Sequence, residues 1–114
     1  SPLAGGRLSG KYINNKKPAN TRYTLWPRRF SRHNTERGEI AIKKYVNLAM
    51  KYNIAPATFA NAFVNDRSFV TSNIIGATNM KQLKEDIDSI DLTLTKEILE
   101  EIENIHLSDP SPCV

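Results

Sequence analysis

Apolar residues recur at intervals of three or four along much of the second half of the chain, and this spacing predicts amphipathic helices. The predicted helices lie within residues 36–66 and 78–107. Pro56 suits the first turn of a helix, because proline has no N–H group to leave unpaired there. Thr78 or Asn79 is suited to cap the helix that follows, and Thr95 to cap the last one.

One segment has a different pattern. Phe69–Ile75 is a short run rich in β-branched residues and closed by Gly76, which predicts a buried strand. Residues 1–35 lack an apolar period and are predicted to be loop. A lone strand needs neighbours for its N–H and C=O groups. We therefore expect an α/β fold, mostly helical in this chain, in which the strand pairs with segments outside it.

Composition agrees with an ordinary globular domain or part of one. The 114 residues are 39% hydrophobic and 25% charged, and they begin with Ser1 rather than methionine, so we expect sequence upstream. No run approaches the roughly 20 apolar residues that span a bilayer, and no secretory signal is present. The single cysteine, Cys113, is compatible with a reducing compartment. These features predict a cytoplasmic protein with no membrane partner.

The net charge of +4 is unevenly distributed, with most Lys and Arg in residues 1–52 and most acids in residues 82–109. A basic first half suggests an anionic partner, either nucleic acid or a phosphorylated small molecule. Basic and aromatic residues alternate in one loop: Arg22, Tyr23, Trp26, Arg28, Arg29, Phe30, Arg32 and Arg37. Such a cluster is typical of single-strand binding surfaces. A solvated basic loop is the alternative interpretation.

Two segments have the composition of phosphate sites. The first glycine segment is SPLAGGRLSGK, residues 1–11, where small residues let N–H groups approach an anion and Lys11 adds a cation. The second glycine segment is IIGATN, residues 74–79, a predicted strand that passes through Gly76 into a helix. The positive end of that helix dipole would face an anion there. A turn-rich connection is the alternative for each segment.

Catalytic and metal-binding patterns are weak in this chain. His33 and His106 have no cysteine or second histidine at metal-ligand spacing, so no metal site is predicted. The four tyrosines have no obvious Lys and His arrangement around them, and Tyr45 and Tyr52 fall on a helix stripe. We therefore predict no catalytic residue within the chain.

Taken together, the two glycine segments resemble the C-terminal part of the aldo-keto reductases, particularly a bacterial branch that is also similar to potassium-channel β subunits. Residues 1–12 are similar to the family pattern S-P-L-x-x-G-x-L-S/T-G-K-Y after the seventh barrel strand, and residues 76–83 to G-A/S-x-x-x-x-Q-L after the eighth. The resemblance implies that the chain is the C-terminal portion of an eight-stranded (β/α) barrel that binds NADPH at the carboxyl ends of its strands. Phe69–Ile75 would be the last barrel strand.

The resemblance also implies roles for particular residues. Ser1 through Gly5 and Lys11 would line the pyrophosphate and ribose, with Arg22 as a further phosphate contact. Gly76 and Thr78 would lie at the adenosine 2′-phosphate, and Gln82 and Glu85 would contact the adenine side. The implied cofactor-binding residues are Ser1, Pro2, Leu3, Ala4, Gly5, Lys11, Arg22, Gly76, Thr78, Gln82, Glu85 and Asp86.

The chain departs from the family pattern at two of these positions. Relatives commonly carry Asn where Asp86 stands, and a carboxylate cannot donate a hydrogen bond to adenine. Many relatives place Arg or Lys near Thr78 to hold the 2′-phosphate, a role that only Lys81 or Lys84 can take here. The family's catalytic Tyr, Asp, Lys and His belong to the first half of the barrel, so the chain alone is expected to be inactive.

The resemblance implies that the complete protein reduces aldehydes or ketones to alcohols with NADPH. Two alternatives remain: a nucleic-acid-binding module that uses residues 22–32, and a nucleotide-sensing or interaction protein without catalysis. The expected partners are a small carbonyl substrate and either the N-terminal half of the barrel or a second copy of the chain.

Overall fold

The computed structural model describes residues 1–29 and 31–113. In these residues the α-helices are α1 (Arg22–Leu25), α2 (Glu36–Lys51), α3 (Pro56–Asn65), α4 (Met80–Asp88) and α5 (Lys96–Ser108). Short 3-10 turns occupy Ala4–Ser9, Ile13–Asn15, Ser31–His33 and Ser89–Asp91. The helices predicted within 36–66 and 78–107 are therefore confirmed. Residues 1–35, predicted as loop, contain several of the short helical turns.

Polar side chains begin three of the helices. Thr35 accepts a hydrogen bond from the Gly38 amide at 2.9 Å, and Asn79 accepts one from the Gln82 amide at 2.9 Å. Thr95 caps α5 through the amide of Ile98. Each cap satisfies an N–H group that has no partner within its helix. Pro56 is in the first turn of α3, as predicted.

The hydrophobic core lies where α2 packs against α3 and α5. Its buried members come from all three helices and from the link before α5: Leu48, Ala49, Phe59, Ala62, Leu94, Ile98 and Ile102. Tyr45 and Tyr52 pack against this cluster and are partly buried. Burial of these apolar side chains is the main favourable contribution to packing of the helices.

The predicted strand Phe69–Ile75 is wrong for this chain: no strand is present in residues 1–29 and 31–113. Phe69 is 83% exposed and Ile74 is 86% exposed. A strand exists only when a second backbone segment satisfies its N–H and C=O groups, and no described segment pairs with this one. Whether these residues form the eighth strand of a complete barrel stays a prediction.

Helix α3 lies between the first glycine segment and α4, the helix that follows the second glycine segment. It packs against the turn Ala4–Ser9 and also against α4 and the turn after it. On the side toward α4, α3 presents three polar residues, Thr58, Asn61 and Asn65, which bond to Glu85, Asp86 and Ser89 respectively. Helix α3 thus contacts the turn of the first glycine segment and the helix that follows the second, whereas residues 74–79 themselves are exposed. Among the described residues, no helix is both long and apolar enough to cross a membrane.

Candidate nucleotide-binding site

The first glycine segment forms a tight turn with left-handed backbone. Ala4, Gly5 and Gly6 have successive φ values of 48°, 68° and 97°. The Gly6 amide donates to the Leu3 carbonyl at 2.8 Å, and the Ser1 hydroxyl accepts from the Gly5 amide at 3.4 Å. Glycine adopts positive φ without a steric penalty, whereas alanine does not. Gly5 and Gly6 therefore explain how this turn is formed, and Ala4 requires support from its surroundings.

Lys11 brings its positive charge back over this turn. Its Nζ lies 3.6 Å from the position that a Cβ on Gly6 would occupy, and 5.2 Å from the centre of the Tyr12 ring. In residues 1–29 and 31–113 no ion pair joins Lys11 to a carboxylate. The structure thus brings Lys11 together with the glycines of the predicted phosphate segment.

Helix α1 packs beside the same turn through Tyr23. The Tyr23 hydroxyl donates to the Ala4 carbonyl at 3.4 Å, and its ring meets Tyr12 edge-on with centroids 4.9 Å apart. Burial raises the pKa of Tyr23, and the Arg7 guanidinium partly opposes this shift. Arg22 is the preceding residue, with an exposed side chain, so α1 brings it to this side of the molecule.

The second glycine segment ends in the capped first turn of α4. Besides the Asn79 cap, the Gln82 side-chain oxygen accepts bonds from the Thr78 amide and the Thr78 hydroxyl, each at 2.9 Å. A Cβ placed on Gly76 would have nothing within 4 Å. Thr78 and Gln82, both predicted cofactor contacts, are therefore held together at the positive end of the α4 dipole.

Glu85 and Asp86, the other predicted cofactor-binding residues of α4, lie in different surroundings. Glu85 is partly buried, and its carboxylate lies 4.0 Å from Lys81 Nζ. Asp86 is only 5% exposed, and Asn61 Nδ2 donates to its carboxylate at 2.7 Å. Burial raises the pKa of Asp86, and the hydrogen bond from Asn61 opposes that shift. Asp86 faces α3 in this structure, and its predicted contact with adenine stays a prediction.

Two features near these segments were not anticipated from the sequence. Arg7 is buried at 5% exposure and is ion-paired with Glu39, although arginine is usually an exposed residue. Asn61, with no exposed surface, connects α3 to Asp86 and also to Asn73, whose side-chain nitrogen lies 3.3 Å from Asn61 Oδ1. In the sequence, the position of Asn61 among the apolar residues of a predicted helix is the feature that indicates its burial.

Tyr52, at the C-terminal end of α2, contacts an acidic side chain of α5. The Tyr52 hydroxyl donates to the Glu101 carboxylate, which raises the pKa of Tyr52 and makes it a weaker acid. The part of the chain that the structure describes holds no cluster of three or more metal-ligating side chains. Two clefts, of about 170 and 430 Å³, lie beside α5 and the C-terminal tail, and no predicted cofactor residue lines either.

Comparison with known proteins identifies the family. A sequence profile of the Aldo/keto reductase family matches residues 1–106. The chain belongs to the aldo/keto reductase family. It is 44% identical over 106 residues to the protein tas of Escherichia coli, covering 93% of this chain and 30% of that protein.

Two relatives of lower identity also match nearly the whole chain. An aldo-keto reductase of Babesia bovis is 34% identical over 93% of the chain and 39% of its own length. A probable voltage-gated potassium channel β subunit of rice is 30% identical over 96% of the chain and 35% of its own length. The resemblance predicted from the glycine segments is thus confirmed. The chain spans about a third of the length of these relatives, so the barrel as a whole is an expectation from the family.

Proposed function

We propose that this chain is the cofactor-binding part of an NADPH-dependent oxidoreductase that reduces aldehydes or ketones to alcohols. The supporting observation is that one helix, α3, contacts both the first glycine segment and α4, the helix into which the second glycine segment leads. Lys11 lies over the first segment, and the positive end of the α4 dipole lies at the second. In this proposal the residues that transfer the proton lie outside the chain, and the complete protein is cytoplasmic.

The residues present suit a dinucleotide. Gly6, beside Lys11, and Gly76, with open space around it, carry no side chain that would block the approach of a phosphate to the backbone. Lys11 and the first turn of α4 provide positive charge on two separate segments, as a pyrophosphate and a 2′-phosphate require. The bound cofactor would supply a hydride, while these residues bind and orient it.

The preference for NADPH over NADH depends on a cation near Thr78. Lys84 Nζ is hydrogen-bonded to the Asp88 carboxylate at 2.7 Å. Lys81 is paired more weakly, because its Nζ lies 4.0 Å from the Glu85 carboxylate and its side chain is 86% exposed. Lys81 is therefore the better donor to a 2′-phosphate. It would replace the Arg or Lys found near this position in other members of the family.

A fluorescence titration tests the proposal directly. NADPH and NADH are added separately to the chain, and Trp26 emission and nicotinamide emission are followed. We expect saturable NADPH binding that weakens about tenfold in Lys11→Met, because one charge-assisted contact contributes roughly 1.5 kcal/mol or more. Lys81→Met should weaken NADPH binding without changing NADH binding. Lys96→Met is the matched control, because the Lys96 side chain at the start of α5 is 92% exposed.

A chain that binds neither nucleotide would contradict the proposal that these segments form a working site. Equal loss in Lys96→Met would show that the effect is general electrostatics rather than a contact. A short oligonucleotide serves as a further control for the nucleic-acid alternative. That alternative is weakened because the Tyr23 ring packs against Tyr12 instead of being open to a base. Phe30, which belongs to the same predicted cluster, lies outside the described residues.

Residues 69–80 expose large apolar side chains and are a candidate surface for a partner. Phe69, Ile74 and Met80 are exposed large hydrophobic residues close together in sequence, and such surfaces favour association. In our proposal the remaining part of the barrel, or a second copy of the chain, covers them. Light scattering at high concentration would show a clean monomer if a second copy is not the partner.

A further inference from the structure

We propose that Arg7 is a positioning residue that holds the first glycine segment in its nucleotide-binding conformation, without itself contacting the phosphates. This inference rests on the proposed function. Nothing in the family pattern quoted above requires Arg at this position, which falls on an unspecified residue between the conserved glycine and leucine.

The Arg7 guanidinium is anchored to the start of α2. Its Nη1 donates to Asn34 Oδ1 at 2.7 Å, and its Nη2 is ion-paired with the Glu39 carboxylate. Asn34 immediately precedes the Thr35 cap, and Glu39 lies in the first turns of α2. Arg7 therefore connects the glycine turn to α2, one of the helices that form the hydrophobic core.

The opposite side of the guanidinium contacts the glycine turn through Tyr23. The Arg7 Cζ lies 5.3 Å from the centre of the Tyr23 ring, within the range of a cation–π contact. The Tyr23 hydroxyl reaches the Ala4 carbonyl, and it lies 3.1 Å from where a Cβ on Gly5 would be. A continuous set of contacts thus joins Glu39, Arg7, Tyr23 and the backbone of Ala4 and Gly5.

This arrangement explains how the turn keeps a strained backbone. Ala4 has φ 48°, and a non-glycine residue persists in the left-handed region only when its surroundings hold it there. The Arg7 charge is compensated by Glu39 and shielded from solvent, so it is poorly placed to attract an anion. Lys11, which has no carboxylate partner among the described residues, keeps that role.

Two measurements on the full 114-residue chain test the inference. Amide hydrogen exchange at Leu8 and Gly10, whose N–H groups bond within the turn, reports on the turn without any nucleotide. Titration with NADPH reports on binding. The variants are Arg7→Met, Glu39→Gln and both together, with Arg37→Met as a control because Arg37 forms a solvent-exposed ion pair with Asp109.

We expect Arg7→Met to speed exchange at Leu8 and Gly10 at least tenfold and to weaken NADPH binding at least tenfold, while exchange in α5 is unchanged. Glu39→Gln should act in the same direction, and the double variant should be no worse than the worse single, since both changes disrupt one interaction. Arg37→Met should change neither quantity. If Arg7→Met fails to fold, Glu39→Gln and Arg7→Lys replace it; Arg7→Lys should retain part of the protection.

Unchanged turn exchange in the folded Arg7 and Glu39 variants would overturn the inference, as would full NADPH affinity despite faster exchange. If the unaltered chain binds no nucleotide, the proposed function fails, and the inferred role in binding fails with it. In that case faster exchange in Arg7→Met would still show that Arg7 holds the turn. The two failures are therefore distinguishable.

Discussion

Replacing Asp86 by Asn should stabilise the chain at neutral pH. Asp86 is 5% exposed, and a single side-chain hydrogen bond, from Asn61, reaches its carboxylate among the described residues. Asn is nearly the same size and keeps an oxygen that accepts this bond. The substitution therefore removes a buried negative charge while leaving the packing against α3 intact.

The magnitude follows from two opposing contributions. Burial penalises the carboxylate, whereas a hydrogen bond to a charged group contributes roughly 1.5–3 kcal/mol. Because the pKa of Asp86 is raised, burial is the larger of the two. We expect Asp86→Asn to increase the free energy of unfolding by about 1 kcal/mol at pH 7, the usual scale for one buried polar group. For a domain of this size the melting temperature would rise by about 4 °C.

The pH dependence has a defined sign. With a pKa raised above its usual 3.8, Asp86 binds its proton more tightly in the folded state than in the unfolded state. Its unfavourable contribution is present in full above the raised pKa, and it disappears as the pH falls through that pKa toward 3.8. The advantage of Asp86→Asn should therefore be largest at neutral pH and shrink in acid.

Urea unfolding followed by circular dichroism, at several pH values between 3.5 and 7.5, checks this expectation. Asp88→Asn is the matched control, because Asp88 is on the same helix but its carboxylate is exposed and pairs with Lys84. A loss of stability in Asp86→Asn at pH 7, or a gain that does not depend on pH, would refute the reasoning. Unchanged NADPH affinity in this variant would also argue that Asp86 does not contact the cofactor.

Two further predictions concern the helices that support the site. Phe59→Ala, in the core at 4% exposure, should lower the free energy of unfolding by about 3–5 kcal/mol, measured by urea denaturation; a cost below 1 kcal/mol would contradict the described packing. Thr95→Ala should lower it by about 1 kcal/mol, because the Ile98 amide loses its cap, whereas Thr93→Ala, outside the helix, should have little effect; equal effects would argue against the cap.

Much of the helical structure follows from local sequence. Helices α2 and α3 together span residues 36–65, against the predicted 36–66, because the apolar spacing and Pro56 act over only a few positions. The two glycine segments were recognisable for the same reason. Their spacing, order and residue types are properties of short stretches, and together they predicted the family that the comparisons confirm.

Residues whose role depends on distant partners were not predictable in this way. Gln82 and Asp86 are one helical turn apart, yet Gln82 bonds to Thr78 at the exposed end of α4 while Asp86 is enclosed by α3. The packing of one helix on another decides such a difference. Phe69–Ile75 shows the same dependence, because a strand requires a paired segment that local sequence does not reveal.

The sequence by itself thus determined the helices, their caps and the composition of the two phosphate segments, all of which depend on neighbours three or four residues away. Only the tertiary structure decided that Arg7 is buried against Glu39, 32 residues later, and that Asn61 meets Asp86, 25 residues later. A buried charge or amide is tolerated only when its partner is brought to it by packing. That pairing is a property of the folded chain and not of any short stretch of it.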